Sequence, residues 1–255
     1  MYRPIQPIPE IPQIPQRLRI AAKDGTLVPF VGAGVSRLAG CLSWTELGTA
    51  ALKFFVDQGK LDHGQLDQLT MLPCRMKLSI AQGLEKAHGI QINYAKLLSP
   101  PTPLEGKRVH AGLSRLARTF VTTNYDKLLD QCYPEASTPV PPDEPSSSMP
   151  SPRQVVYKRA DINVACLGPP DDKVIHIHGS VLDRASMVLT TRDYVDRYAS
   201  HQPNGREEWE NPYLSFLQHL FRRRSVLFIG YGLEELEILA ARGVSGVNGF
   251  AHAAA

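Results

Sequence analysis

The sequence has few cysteines, and none of them are spaced as zinc ligands usually are. Its four cysteines, Cys41, Cys74, Cys132 and Cys166, are scattered along the chain, and no Cys-x-x-Cys pair occurs. This spacing excludes a zinc ribbon and is more typical of free thiols in a reducing compartment than of a disulfide framework. We therefore expect no bound metal.

Three further absences narrow the class of protein. No run of about 18 apolar residues exists, so no membrane span is predicted. The first ten residues, MYRPIQPIPE, lack the apolar segment of a secretory signal, which favours a cytoplasmic protein. The 28 basic and 25 acidic side chains leave a net charge of only +3, too little for a dedicated nucleic-acid-binding protein.

Proline, in contrast, is abundant but unevenly distributed. Twelve of the 21 prolines lie within residues 1–15 or 134–152, which we interpret as an extended arm and a flexible Pro/Ser loop. Residues 240–255 are small and glycine-rich without helix or strand periodicity, so they form an atypical tail, either native or the end of a truncated longer protein. The rest of the chain has enough apolar residues for a continuous core.

Hydrophobic periodicity predicts strands that alternate with helices. Strands are predicted at 27–31, 119–123, 174–178 and 226–229, with a further candidate at 187–189, and helices at 14–23, after the capping box Ser43–Glu46, at most of 60–117, and at 213–221. This order indicates an α/β protein with a Rossmann-like, mostly parallel sheet and helices on both faces. Residues 41–117 would form a mostly helical layer or lobe inserted into it. Pro29 should be tolerated only near a strand start or a sheet edge.

Two glycine-rich turns follow predicted strands. Gly32-Ala33-Gly34-Val35-Ser36 comes after the first strand, and Gly230-Tyr231-Gly232 comes after the last. Glycines at such a position let backbone N–H groups approach a phosphate at a helix N-terminus, and Ser36 could add a hydroxyl. A bare Gly-x-Gly is also common in tight strand-to-helix turns, so both interpretations stay open.

Polar residues follow two other strands. The segment Thr122-Thr123-Asn124-Tyr125-Asp126 either caps a helix that continues through Leu128, Leu129 and Cys132, or presents the Asn124 amide to a ligand. His178 lies beside Gly179 at a strand's carboxyl end, where a ligand would bind, whereas His176 is expected to be a core or supporting histidine. A His-x-His metal site lacks a third ligand at convincing spacing.

Four ordered motifs together resemble the sirtuin-like NAD-binding domain. They are GAGVS at 32–36, TTNYD at 122–126, HG at 178–179 and GYGL at 230–233. The first is similar to the family's phosphate-facing motif, the second to the segment with its catalytic asparagine, and the third to its catalytic histidine. Because one nucleotide site would draw on strand ends from residue 32 to residue 232, we expect residues 1–255 to form a single domain.

The longer segments LVPFVGAGVS, FVTTNYDKLLD and VIHIHGSV are most similar to sirtuin-like proteins of bacterial anti-phage defence. The four-cysteine zinc module of deacylating sirtuins has no counterpart, and Leu42-Ser43-Trp44 stands where those enzymes have Asp-Phe-Arg. The resemblance therefore implies hydrolysis of NAD+ to nicotinamide and ADP-ribose, which exhausts the cofactor in an infected cell.

The resemblance also implies a role for each motif residue. Asn124 would position the ribose or a water, His178 would act as general base, and Asp126 would hold the nicotinamide carboxamide. The residues expected to bind NAD+ are Gly32, Ala33, Gly34, Ser36, Thr123, Asp126, Gly230 and Gly232.

Two other functions fit the same motifs. One is a non-catalytic module that senses NAD or ADP-ribose, and the other is an NAD-dependent protein deacylase or ADP-ribosyl transferase, which needs an acceptor groove. An unrestrained NAD hydrolase would kill its host, so we expect a homo-oligomer or a defence-system partner protein to control the activity. Direct binding to nucleic acid or membranes is not expected.

Overall fold

Five parallel strands form the central sheet of the protein, in the order β5-β6-β2-β1-β7. The structure, a computed structural model, describes residues 13–99, 103–132, 151–162, 171–198 and 211–232. The strands of the sheet are β1 Leu27–Val31, β2 Thr119–Thr122, β5 Gln154–Val156, β6 Lys173–His176 and β7 Ser225–Ile229. A separate antiparallel pair consists of β3 Gln131–Cys132 and β4 Ser151–Pro152.

Helices occupy most of the remaining described chain. They are α1 Gln16–Lys23, α2 Ala33–Leu38, α3 Trp44–Asp57, α4 His63–Thr70, α5 Cys74–His88, α6 Tyr94–Leu97, α7 Pro103–Leu116, α8 Arg159–Ile162, α9 Thr191–Tyr198 and α10 Pro212–Arg223. The predicted helices near 14–23, after Ser43 and at 213–221 are confirmed.

Strand alternation divides the apolar side chains of the sheet between two cores. Phe30, Val121 and Ile175 point to one face and pack with α8, α9 and α10. Val31 and Phe120 point to the other face, where residues of α2 and α7 cover them. Because both faces are covered, the strands are apolar along most of their length. The predicted α/β class, with a mostly parallel sheet and helices on both faces, is confirmed.

The helical insertion has a core of its own. Leu47, Leu52 and Phe55 of α3 pack against Leu78 of α5, and residues of α6 complete the cluster. Tyr125 of the sheet layer also belongs to this cluster, so the insertion is attached beside the β2 strand end. The predicted helical lobe at 41–117 is thus observed, except that α7 covers the sheet.

Pro29 occupies a position that we did not expect, in a central strand. β1 pairs with β7 over its whole length, from Leu27 to Val31, but its pairing with β2 begins only at Phe30. Since the Gly32 N–H bonds to the Ile229 carbonyl of β7, strand alternation directs the Pro29 nitrogen towards the β2 side. The missing N–H therefore falls one residue before the β1–β2 ladder begins, where it is not needed.

Two predicted elements are wrong. Residues 187–189 form no strand; the Val188 N–H donates to the carbonyl of His178, and the Val188 carbonyl accepts from the Tyr125 hydroxyl. The helix expected after Asp126 is absent, and residues 125–130 form turns instead. The Asp126 carboxylate accepts from the Leu128 N–H, and the Arg153 guanidinium donates to the carbonyl of Leu129, so side chains replace helical hydrogen bonds. Neither Thr123 nor Asn124 is therefore a helix cap.

Several sequence-based predictions fall on residues that are not described. They concern the arm at 1–12, the loop at 133–150, and the chain from 233 onwards, which includes the tail at 240–255. Residues 151 and 152, the end of the predicted loop, lie instead in strand β4.

The capping box of α3 leads to a stability prediction. Ser43 accepts from the Glu46 N–H at 3.3 Å, while the Glu46 carboxylate accepts from the Ser43 N–H at 2.7 Å. We expect Ser43→Ala to lower the free energy of unfolding by about 1 kcal/mol, measured by urea denaturation. The control is Ser79→Ala, since this exposed hydroxyl bonds only a carbonyl of its own helix. Equal losses in both variants would contradict the importance of the cap.

Candidate active site

A cavity of about 780 Å³ lies where the carboxyl ends of β1, β2 and β7 and the turn after β6 meet the helical insertion. Its size lies within the range of ligand pockets, roughly 300–1,000 Å³. One wall comes from the strand ends and the other from the insertion. The predicted site residues that line it are Ala33, Gly34, Ser36, Thr123, Asn124, Asp126, His178, Gly230 and Gly232.

The two glycine turns pack directly against each other. The Gly34 N–H donates to the Gly230 carbonyl at 2.9 Å, and a Cβ atom on Gly32 would lie only 2.5 Å from that carbonyl oxygen. Gly230 also has a φ of 60°, a conformation that glycine adopts without strain. Gly32 is the one predicted site residue that does not line the cavity. Its lack of a side chain instead allows the two glycine turns to pack closely.

The Asn124 side chain ties the end of β2 to the turn after β1. Its Nδ2 donates to the Gly32 carbonyl at 3.0 Å and to Ser36 Oγ at 2.8 Å. Both amide hydrogens are therefore used, and Oδ1 remains as the atom that can accept a hydrogen bond from a ligand. The side chain is nearly buried, at 8% exposure, but lines the cavity.

Ser36 continues this chain of hydrogen bonds to Asp126. Ser36 Oγ accepts from Asn124 and donates its only hydrogen to Asp126 Oδ2 at 2.6 Å. The hydroxyl is thus not available as the phosphate donor that we expected from the motif. Instead, it fixes the Asn124 amide and the Asp126 carboxylate relative to each other.

His178 lines the same cavity from a turn that follows β6. Its Nε2 lies 2.9 Å from the Tyr198 hydroxyl, and its ring meets those of Tyr194 and Tyr198 edge-on. Burial, followed by the charges of Arg197 and Arg75, lowers the pKa of His178 to about 3. The imidazole is therefore neutral across the physiological pH range.

His176, two residues earlier, has different partners and is fully buried. Its Nδ1 lies 2.7 Å from the backbone carbonyl of Asn124, and its Nε2 lies 2.9 Å from Asp130 Oδ1. The interpretation of His176 as a core or supporting histidine is confirmed, since it does not line the cavity.

Two arginines that the sequence analysis did not select also line the cavity. Arg37 directly follows the GAGVS motif, whereas Arg75 is the second residue of the lobe helix α5 and stacks over the Tyr194 ring at 4.0 Å. Within the described part of the chain, neither arginine forms an ion pair. The proximity of Arg37 to a motif could have identified it, but nothing near Arg75 in sequence points to the site.

Cys41 and Cys74 line the cavity as unreactive thiols. Each donates to a backbone carbonyl, that of Leu98 or Trp44 respectively. Burial is the main cause that raises the pKa of Cys41 to about 12 and that of Cys74 to about 11, so neither supplies a thiolate at neutral pH. Across the ranges that the structure covers, no group of three or more histidine, cysteine or acidic side chains could hold a metal ion.

Glycine turns and polar residues at the carboxyl ends of parallel strands are the arrangement by which Rossmann-like folds bind ligands. A comparison with family models narrows this class, because the SIR2-like domain matches residues 118–241. That range contains the TTNYD, HG and GYGL motifs, so the sirtuin-like resemblance is confirmed there, and it supports an NAD-related activity in general terms. No curated protein matches the chain. No helix in the described ranges is both long and apolar enough to cross a bilayer.

The buried His178 should make stability depend on pH. Its pKa falls from the ordinary 6.5 to about 3 on folding, so the unfolded chain binds more protons between these values. The contribution is complete above pH 6.5 and is lost progressively as the pH falls towards 3. Between pH 7.5 and pH 5, the wild type should lose about 2 kcal/mol more unfolding free energy than His178→Gln. Urea denaturation at both pH values measures the difference, and parallel losses would show that His178 does not titrate as stated.

Proposed function

We propose that this protein hydrolyses NAD+ at the bond between nicotinamide and ribose, which releases nicotinamide and ADP-ribose. The arrangement that carries the proposal is the hydrogen-bonded chain Asn124–Ser36–Asp126, which shares one cavity with the neutral imidazole of His178. The SIR2-like match supports NAD as the ligand class.

The chemistry requires few groups, because nicotinamide is a good leaving group. When the glycosidic bond breaks, its electron pair passes to the ring nitrogen, which neutralises the nicotinamide and leaves an oxocarbenium-like ribose. A water molecule then bonds to the ribose carbon and gives up a proton to His178. The free Oδ1 of Asn124 would accept a hydrogen bond from this water or from a ribose hydroxyl.

The low pKa of His178 is compatible with this role. An oxocarbenium-like centre is strongly electrophilic, so the attacking water needs only weak assistance from a base. After burial, the positive charges of Arg197 and Arg75 are the causes of the lowered pKa. Substrate phosphates that pair with Arg75 would offset one of these charges and raise the basicity of the imidazole in the complex.

The charge of the cavity lining favours a diphosphate. Arg37 and Arg75 contribute two positive charges, while Asp126 is the one carboxylate among the lining residues. Because Ser36 already donates to Asp126, we assign the pyrophosphate to the glycine turns together with these arginines. Asp126 would then receive the nicotinamide carboxamide, whose N–H groups can donate to it.

We further propose that the reaction serves anti-phage defence, by exhausting NAD+ in an infected cell. Uncontrolled turnover would kill the host, so a homo-oligomer or a partner protein of the same defence system would restrain the enzyme. The proposed setting is cytoplasmic, where NAD+ is available.

Replacement of Asn124 tests the proposed chemistry directly. Asn124→Ala removes both the donor to Ser36 and the free oxygen, so kcat for NAD+ cleavage should fall by about 100-fold or more. Nicotinamide and ADP-ribose are followed by chromatography after incubation of the purified protein with NAD+.

The matched control is Asn93→Ala, which removes an amide that caps the short helix α6 and lies outside the cavity lining. It should retain cleavage. Full activity in Asn124→Ala would contradict the catalytic role assigned to Asn124. Tight NAD+ binding without nicotinamide release in the wild type would instead identify a sensing module, and acetyl-ADP-ribose formed from an acetylated peptide would identify a deacylase.

The assignment of Arg75 leads to a separate kinetic prediction. Arg75→Met keeps much of the side-chain volume but removes the charge, so KM for NAD+ should rise by about ten-fold through loss of a charge-assisted hydrogen bond. Arg192→Met is the control, since Arg192 is exposed and pairs only weakly with Asp196 at 3.8 Å. An unchanged KM in Arg75→Met would place the pyrophosphate elsewhere in the cavity.

A further inference from the structure

The two hydrogen bonds of His176 cannot both be made by a neutral imidazole if Asp130 is an ionised carboxylate. Its ring is 0% exposed and lies between the Asn124 carbonyl oxygen, 2.7 Å from Nδ1, and Asp130 Oδ1, 2.9 Å from Nε2. A backbone carbonyl only accepts hydrogen bonds, and so does an ionised carboxylate. A neutral imidazole has one N–H, whereas these two contacts require a hydrogen between each pair of atoms.

The extra proton belongs either to the ring or to the Asp130 carboxyl. An imidazole nitrogen is a stronger base than a carboxylate oxygen, so we assign a proton shared between them to the ring. The same segment is held by Arg153, whose guanidinium donates to the carbonyls of Leu129 and Gln131, on either side of Asp130.

We propose that His176 is an imidazolium paired with Asp130, and that it positions the catalytic Asn124 by donating from Nδ1 to its backbone carbonyl. The Asn124 side chain donates to Gly32 and Ser36, and its backbone carbonyl accepts from His176. Both the side chain and the backbone of Asn124 are therefore fixed. His176 itself is outside the cavity lining and is a positioning residue. The kinetic part of this inference rests on the proposed NAD+ cleavage, but the charge of the ring does not.

The charge is tested by nitrogen NMR of the full chain with 15N-labelled histidine at pH 8. We expect the His176 resonances, assigned from their loss in His176→Asn, to show protonation at both ring nitrogens. In Asp130→Asn the carboxamide can donate to Nε2, so this nitrogen should become unprotonated while Nδ1 keeps its hydrogen. A wild-type spectrum with one unprotonated ring nitrogen would overturn the proposal, as would no change in Asp130→Asn.

The positioning role is tested in the Asp130→Asn background, which leaves no buried carboxylate without its partner. Adding His176→Leu removes the donor to Asn124, and kcat should fall by about 10- to 100-fold with KM within about threefold. Adding His176→Asn instead places an amide nitrogen near the original Nδ1 and should restore kcat to within about threefold of Asp130→Asn.

Lys77→Met is the control for loss of a buried polar contact, because Lys77 is 2% exposed and its Nζ donates to Thr49 away from the cavity. It should retain kcat even if its melting temperature falls. A folded leucine variant with the kcat of Asp130→Asn would overturn the positioning role. A wild type that does not cleave NAD+ would disprove the proposed function, and the NMR spectra would still decide the charge of His176.

Discussion

The geometry of the site depends on the hydrogen bonds of the Asn124 side chain. Its amide donates to the turn after β1 and to the first turns of α2, although Asn124 itself follows β2. Neighbouring parallel strands bring these segments to the same edge of the sheet, but strand pairing alone would not set the direction of the side chains. The hydrogen bonds through Ser36 to Asp126 do so, and they exclude the alternative in which Asn124 caps a helix.

The strands, and the strand ends that carry the site residues, could be predicted because short stretches of sequence identify them. Apolar runs ended by glycine or polar residues located β1, β2, β6 and β7, and the motifs located Asn124 and His178 at their ends. The helix expected after Asp126 was wrong for a reason that sequence periodicity does not contain. The carbonyls there are bound by Arg153, which lies more than twenty residues away in the chain.

The polarity of the site was also only partly predictable. A histidine at a strand end indicates a base, but its ionisation depends on burial beside Tyr194 and Tyr198 of α9 and on the charges of Arg197 of α9 and Arg75 of α5. Likewise, the serine of the glycine motif was expected to face a phosphate, and its hydroxyl is taken by Asp126 instead. Such assignments require knowledge of which groups meet across the fold, because each hydroxyl has one hydrogen to donate.

The separate core of the helical insertion has a consequence for how such proteins diversify. The insertion packs mainly on itself, with Tyr125, Met187 and Leu189 as its attachment to the sheet layer and an ion pair between Arg184 and Glu85 beside them. The family match begins at residue 118, after this lobe. Substitutions in the lobe can therefore reshape one wall of the cavity while the polar side chains at the strand ends stay unchanged.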